Sequence, residues 1–298
     1  MTHDRAGAPS PEQGIVIVAV LWILMALSAL AMIFSLYLSA SAQALAIDDA
    51  SLQAEALVSA GLELTAYQLT LAGEKGRPLR GTFQFRMDDA DVSVAFTSEA
   101  ARIDLNFAPK EALAGFFAGL GANKAAAMDD AERIVGWRTR PMPGSANDEE
   151  ALYAAAGLNY SPRQSLFTHV SELALVVGLP PALVDRALPF VTVFNGSPDI
   201  DATIAAPEVL AAFPDKADKK DAAADPFASP NAATPPASDP ATAKSPCYRI
   251  EATIKFRNGR RNVSEAVIAL GDKTEPYRVM SWQDEVPPRG VAPKRRAL

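Results

Sequence analysis

The sequence predicts an α+β fold in which a long N-terminal helix packs on an antiparallel sheet that carries a large, mostly helical insertion. An apolar run near the N-terminus continues without a helix breaker into an amphipathic stretch. Residues that alternate between apolar and polar occur on both sides of a helical block, at 81–97 and at 247–282. Because an isolated hairpin is only marginally stable, we expect these two groups of strands to share one sheet.

The long helix is predicted over residues 15–72. Residues 15–38 carry no charged side chain, and they make about 36 Å of helix. That length crosses a hydrocarbon layer of roughly 30 Å, so this part is a predicted transmembrane segment. Beyond it, Val58, Leu62 and Leu69 recur at helical spacing and predict a stripe that packs on a folded body.

The N-terminal apolar run has three interpretations. In a secretory signal peptide, cleavage would follow small residues such as those of 40–44, although the run is longer than such peptides carry. A second interpretation is an ordinary single-pass anchor. The third is a polar leader of the pilin type, residues 1–14, that is cut between Gly14 and Ile15 and leaves the helix in the bilayer. No Lys or Arg follows the run before Lys75, which places the bulk of the chain outside the cell interior.

The sheet is predicted to form from residues 73–100 and 247–283. Asn258-Gly259 between two alternating runs is a strong signal for a tight hairpin. The intervening residues 101–213 are predicted as an inserted helical domain. Residues 214–246 contain mostly Asp, Ala, Lys, Ser and Pro and are predicted to be a disordered loop. Residues 284–298 are predicted to be a flexible tail.

The first helix of the insertion is predicted to start after Asn106, a candidate cap, with Pro109 in its first turn. A Gly-Leu-Gly break at 119–121 separates it from a second helix that ends near Arg138. A further helix is predicted from Val170 to Val177, followed after a Gly by one from Pro181 to Leu188. A faint repeat is also visible, since Ile103-Asp104 and a later Ala-Pro are echoed by Ile200-Asp201 and a second Ala-Pro.

Composition argues against several classes of function. The net charge of −7 is unlike that of a nucleic-acid-binding protein. Cys247 is the single cysteine, so no intramolecular disulfide forms. The only histidines, His3 and His169, are far apart, and no nucleophile, base and orienting group stand together in a known pattern. We therefore expect no enzymatic activity.

Four features resemble the minor pseudopilin K family of type II secretion systems. They are the Gly14-Ile15 junction, the start of the insertion that reads Ile-Asp-Leu-Asn-Phe-Ala-Pro at 103–109, the segment Phe-Thr-His-Val-Ser-Glu-Leu at 167–173, and the C-terminal hairpin. The resemblance extends over nearly the whole chain that would remain after cleavage. It implies a pilin-like body that carries the predicted insertion.

The resemblance implies a structural subunit at the tip of the pseudopilus, which supports export of folded proteins. A prepilin peptidase would cut before Ile15 and the new amine would be methylated. The fifth mature position is Ala19, where most pilins carry Glu, and the resembling family is similar in lacking that Glu. The implied partners are the minor pseudopilins I and J and the lipid bilayer. Secreted substrates or the outer-membrane channel are further candidates. The implied location is the inner membrane, with the body in the periplasm and no nucleic acid bound.

Members of that family often carry acidic residues around a Trp in the insertion, a pattern implicated in calcium binding. Here Gly136 and Arg138 flank Trp137 in place of acidic residues. The candidate calcium ligands are the acids that follow, Asp148, Glu149 and Glu150. They are equally explained as the acidic start of a helix, since carboxylates favour the positive end of the helix dipole.

A second class of function remains open on the sequence. The helix-Gly-Leu-Gly-helix pattern of 109–138 resembles a helix-hairpin-helix, a module that grips DNA phosphates through backbone amides. Only Lys124 lies in the hairpin, and Asp129, Asp130 and Glu132 follow it. A membrane-anchored DNA-binding protein and an ordinary anchored periplasmic protein are therefore the alternatives.

Overall fold

The structure, a computed structural model, describes residues 11–142, 148–214, 245–272 and 274–284. The predicted disordered loop lies outside these residues except at its ends, and so do most of the predicted leader and tail. The chain divides into two units, residues 1–57 and 58–298.

The helices and strands follow the predicted order. The α-helices are α1 Pro11–Leu71, α2 Gly73–Gly76, α3 Lys110–Gly119, α4 Lys124–Arg138, α5 Asp148–Ala155, α6 Pro181–Ala187 and α7 Pro207–Leu210. The strands are β1 Arg80–Met87, β2 Ala90–Ser98, β3 Ile103–Asp104, β4 Val191–Thr192, β5 Cys247–Phe256, β6 Arg261–Leu270 and β7 Tyr277–Gln283.

The first unit contains the apolar part of α1. Residues Ile17–Ser39 are long and apolar enough to cross a membrane. Their large apolar side chains are 48–69% exposed, so the described part of the chain does not cover them. Such a surface is stable in lipid and costly in water.

In the second unit, the end of α1 packs on a five-stranded antiparallel sheet with the strand order β1-β2-β5-β6-β7. The predicted α+β fold with one shared sheet is confirmed. The predicted stripe of Val58, Leu62 and Leu69 is at most 1% exposed. Gly61 lets the helix approach the sheet, because a Cβ there would lie 3.1 Å from Cγ2 of Val94.

The insertion leaves the sheet after β2 and returns at β5. These two strands are direct neighbours, and Ser98 pairs with Tyr248. The insertion has its own apolar core, contributed mainly by α3, α4, α6 and the segments between them. Its start is joined to a later segment by a short parallel pair, in which Ile103 of β3 lies opposite Val191 of β4.

The insertion packs on the face of the sheet opposite to α1. Arg249 and Glu265 belong to that face, and His169 of the insertion lies 3.5 Å from Gln283 on the same face. Strand β6 is consequently covered on both sides, and all residues from Val263 to Ile268 are buried. This is why β6 lacks the alternation that a half-exposed strand shows.

One local prediction needs correction here. The helix expected from Val170 to Val177 is a 3₁₀ helix, Val170–Leu175. It ends early because Val176 is extended and Gly178 has φ +84°, which turns the chain toward α6. The long helix ends at Leu71, and Gly73, with φ +63°, starts the single turn of α2.

We predict that Gly61→Leu destabilises the body. A side chain at this position would be forced against Val94 and the sheet, and overpacking of this kind costs about 1–3 kcal/mol. Urea unfolding followed by tryptophan fluorescence measures the change. Gln68→Leu, at an exposed position of the same helix, is the matched control and should leave the free energy of unfolding nearly unchanged. Equal stability of both variants would contradict the close approach of helix and sheet.

Candidate functional site

The predicted cleavage site lies in the backbone of α1. Gly14 and Ile15 are helical, and their side chains lie outside the described residues. Ala19 is exposed, one turn inside the apolar segment. Cleavage before Ile15 and methylation of its amine stay predictions.

A buried ion network joins the insertion to the sheet. The carboxylate of Glu99, just after β2, is fully buried and accepts hydrogen bonds from Arg249 Nε at 2.8 Å and Nη2 at 3.1 Å. Arg102 Nη1 lies 3.3 Å from the same carboxylate, and the hydroxyl of Thr192 donates to it. Arg249 also binds Glu265 of β6 at 2.5 Å. Two carboxylates and two guanidinium groups thus balance one another where the insertion meets the sheet.

The electrostatics of this network favour the charged forms. Burial would raise the pKa of Glu99, but the attraction of Arg249 and Arg102 outweighs it and holds the pKa below its ordinary value. Burial would lower the pKa of Arg249, but the attraction of Glu99 and Glu265 outweighs this effect and raises the pKa above its ordinary value. The sequence does not identify this network, because Arg249 occurs in an alternating run like any polar residue of a strand and its partner Glu99 lies 150 residues away.

The Ile-Asp-Leu-Asn motif forms a tight turn ahead of α3. Asp104 accepts a hydrogen bond from Asn106 N through Oδ1 at 2.7 Å and from Gly196 N through Oδ2 at 2.8 Å. Its carbonyl oxygen accepts from Ala108 N at 2.9 Å. Burial raises the pKa of Asp104, and these amide donors partly offset the rise.

Asn106 is not the helix cap that was predicted. The N-cap of α3 is Pro109, and the Asn106 amide instead binds the backbone of Phe167. Its Nδ2 donates to Phe167 O at 3.0 Å, and its Oδ1 accepts from Phe167 N at 2.7 Å. The side-chain amide therefore forms two hydrogen bonds to the backbone of a residue 61 positions away, as a neighbouring strand would. It joins two of the four features on which the resemblance is based.

The second motif, at 167–173, is a capping box. His169 caps the 3₁₀ helix by accepting from Ser171 N through Nδ1 at 3.1 Å. Glu172 accepts from the amides of Thr168 at 2.9 Å and His169 at 3.2 Å. Burial would raise the pKa of Glu172, and the bonds from Thr168 together with Arg163 bring it below its ordinary value.

The third motif of the insertion is the segment around Trp137, whose side chain contacts the second motif. Its Nε1 donates to Glu172 Oε2 at 3.4 Å, and its ring stacks on Phe167 with centroids 6.1 Å apart. The ring centroid of Tyr153 lies 5.9 Å from that of Trp137. Burial raises the pKa of Tyr153 to about 12. The three motifs of the insertion therefore meet in one aromatic cluster.

The faint repeat corresponds to a repeated turn. Asp201 accepts from Thr203 N through Oδ1 at 2.9 Å, and its carbonyl accepts from Ala205 N at 3.0 Å, as in the turn at Asp104. Each turn leads into a helix, α3 or α7. Helix α3 also lies close to the chain just after α7, since a Cβ on Gly115 would lie 3.5 Å from Cα of Ala212.

Two of the three candidate calcium ligands, Glu149 and Glu150, have protein partners. Glu149 binds Arg133 Nη1 at 2.8 Å, and its carboxylate lies against the Cβ-free backbone of Gly136. Glu150 Oε1 accepts from the hydroxyl of Ser161 at 3.5 Å, and the side chain of Asp148 lies outside the described residues. Within the described ranges, no group of three or more His, Cys, Asp or Glu side chains is arranged to hold a metal.

The helix-hairpin-helix resemblance has a structural basis. Helices α3 and α4 pack together, and Gly121 turns the chain between them with φ +97°. Lys124 and Asp129 are exposed on the same hairpin, and Lys110 lies 3.9 Å from Glu132. The charges on this unit are therefore mixed, whereas a phosphate-binding surface is dominated by cations.

We predict that Arg249→Met costs about 3–5 kcal/mol, because it leaves the buried carboxylates without their main partner. Double substitution with Glu99→Gln should cost less than the sum of the two single changes. Urea unfolding of the single and double variants measures both effects. Strict additivity would contradict the network.

The same network predicts an acid dependence. A depressed pKa stabilises the fold fully above the ordinary pKa of Glu, and this contribution is lost as pH falls through the lower, folded-state value. Stability should therefore fall more steeply below about pH 4 in the wild type than in Glu99→Gln. Parallel pH profiles of the two proteins would contradict the depressed pKa.

Comparison with known proteins bears on the same elements. The family model "Type II secretion system (T2SS), protein K" matches residues 97–196, which contain the three motifs and Glu99. A chain in the crystal structure of the GspK-GspI-GspJ complex of the type 2 secretion system from enterotoxigenic Escherichia coli has a similar fold. Its TM-score is 0.56 at 16% sequence identity, and the match covers 79% of this chain and 96% of that chain. A comparison with curated protein sequences gave no match.

The family match falls on the insertion, and the shared fold includes the sheet and helix around it. The resemblance found in the sequence is thereby confirmed. Residues 97–196 thus match the type II secretion system protein K family, and the similar structure shows the same fold for most of the chain.

Proposed function

We propose that this protein is the minor pseudopilin at the tip of a type II secretion pseudopilus and supports export of folded periplasmic proteins across the outer membrane. The observation that carries the proposal is a solvent-exposed apolar helix, Ile17–Ser39, in a chain whose body has the protein K fold. A soluble protein would bury such a helix. A filament subunit keeps it free to pack in the membrane and then in the filament.

The leader is proposed to be residues 1–14. A prepilin peptidase cuts between Gly14 and Ile15, and the new amine of Ile15 is methylated. Glycine before the cut leaves the backbone accessible to the protease at the membrane surface. The mature protein is then held by a single pass in the inner membrane, with its body in the periplasm.

Ala19 fits a position at the tip. A carboxylate in the bilayer is costly unless a cation pairs with it. In a filament, a Glu at this position would pair with the N-terminal amine of the neighbouring subunit. A subunit at the tip has no neighbour ahead of it, and Ala19 avoids an unpaired charge there. The bulk of the insertion also favours the tip, where no subunit must pack above it.

The proposed partners are the pseudopilins I and J, the proteins that assemble with GspK in the similar structure. Their helices would pack against the apolar segment mainly by close van der Waals contact. The body offers more surface of the same kind, since Leu64, Tyr67 and Leu71 are 38–68% exposed on one side of α1. The insertion, held away from this helix on the other face of the sheet, is free to meet secreted substrates or the outer-membrane channel.

No enzymatic step is proposed. The strongly perturbed groups of the body, such as Glu99 and Arg249, are explained by the ion network that joins the insertion to the sheet. Burial raises the pKa of the Cys247 thiol to about 11, which disfavours the reactive thiolate.

We predict that Gly14→Ala blocks processing and export. In cells that lack the native gene, the wild type should restore export and yield a membrane-extracted chain that starts at Ile15, with or without one methyl group. The variant should keep Met1 and fail to restore export. Intact-protein mass spectrometry and an assay of secreted protein measure the two results.

Gly7→Ala, within the same leader, is the control and should behave as the wild type. A working protein that retains its leader would support a plain anchor. A working protein that starts near Gln43 or Leu45 would support secretion.

A further inference from the structure

The end of α4 places a cation among oxygen atoms of the insertion. Arg138, its last residue, donates through Nη1 to Leu105 O and through Nη2 to Ala108 O at 2.8 Å. Both carbonyls belong to the turn between β3 and α3. The buried carboxylate of Asp104, in the same turn, attracts the guanidinium.

These are the oxygens that a hard divalent cation prefers, namely backbone carbonyls and a carboxylate. Here a guanidinium already binds them. It remains charged at any physiological pH, and its planar fork fixes two carbonyls at once. A calcium ion brought to the same turn would meet that positive charge at short range and be repelled.

A second arginine of α4 binds a side chain in the first turn of α5. Arg133 binds Glu149 at 2.8 Å, and the two side chains are 23% and 15% exposed. Gly136 leaves the space for this carboxylate, because a Cβ there would lie 2.4 Å from Glu149 Oε2. One of the three acids that the family resemblance would assign to calcium is thus bound by an internal cation through Oε2, while its Oε1 is buried without a hydrogen-bond partner among the described residues.

We infer that Arg138 and Arg133 are the resident cations of the inserted domain, and that this protein folds and remains stable without a divalent metal. The 105–108 turn and the start of α5 are fastened to α4 by guanidinium groups. The pattern around Trp137 departs from that of the resembling family because arginine supplies the positive charge. This inference concerns stability and does not depend on the proposed place of the protein in a filament.

Thermal unfolding of the full-length chain in detergent tests the inference. Tm should be the same with excess calcium and with EDTA. Arg138→Met should lower Tm equally in both buffers, by at least about 2–4 °C, and Arg138→Lys should lower it less because it keeps the charge. Arg140→Met, at an exposed position two residues further on, is the matched control and should leave Tm unchanged.

Three results would overturn the inference. One is a Tm of the wild type that rises with calcium or falls with EDTA. Another is an Arg138→Met variant whose Tm equals that of the Arg140→Met control. The third needs no variant: Trp137 lies beside Arg138 and would sensitise terbium bound nearby, so saturable terbium luminescence that calcium displaces would demonstrate a metal site. We expect no such signal.

Discussion

The architecture of the body depends on the ion pairs that the fully buried carboxylate of Glu99 forms with Arg249 and Arg102. The insertion leaves the sheet after β2 and returns at β5. Because these strands are direct neighbours, the inserted domain is attached at two adjacent strand ends. Where that domain joins the sheet, Glu265 is buried and Arg249 is largely buried. Burying charges in this way is costly unless each is paired. Glu99, where the chain leaves the sheet, and Arg102 complete a balanced set of charges. Thr192, 93 residues along the chain, donates to the same carboxylate.

This arrangement assigns the two faces of the sheet to different tasks. One face receives the end of α1, with Gly61 permitting close approach, while Leu64, Tyr67 and Leu71 of that helix are exposed among the described residues. The other face receives the insertion, whose three motifs meet at Trp137, Phe167 and Glu172. Lateral packing through the helix and presentation of a large domain are therefore compatible in one chain. A filament subunit that ends the filament requires both properties, and a subunit in its middle has no room for the second.

The sequence predicted those elements whose pattern is set by burial on one face. The stripe on α1, the alternating strands and the Asn258-Gly259 hairpin are of this kind, and so was the fold class. It could not predict contacts between distant residues. Asn106 resembled a helix cap because its partner Phe167 lies 61 residues away, and Arg249 resembled a solvated strand residue because Glu99 lies 150 residues away. Glu149 resembled a metal ligand for a related reason, since its position in the chain does not reveal the guanidinium of Arg133 on a neighbouring helix.

The proposed function requires a processed subunit that joins two other pseudopilins through its helix and carries the insertion beyond them. Native mass spectrometry tests this most directly. The full chain is co-expressed with the prepilin peptidase and the pseudopilins I and J of its own organism, and the membrane extract is analysed. The account predicts a ternary complex with one copy of each pseudopilin, in which this chain begins at Ile15. A preparation in which I and J bind each other while this chain remains apart from both would contradict it.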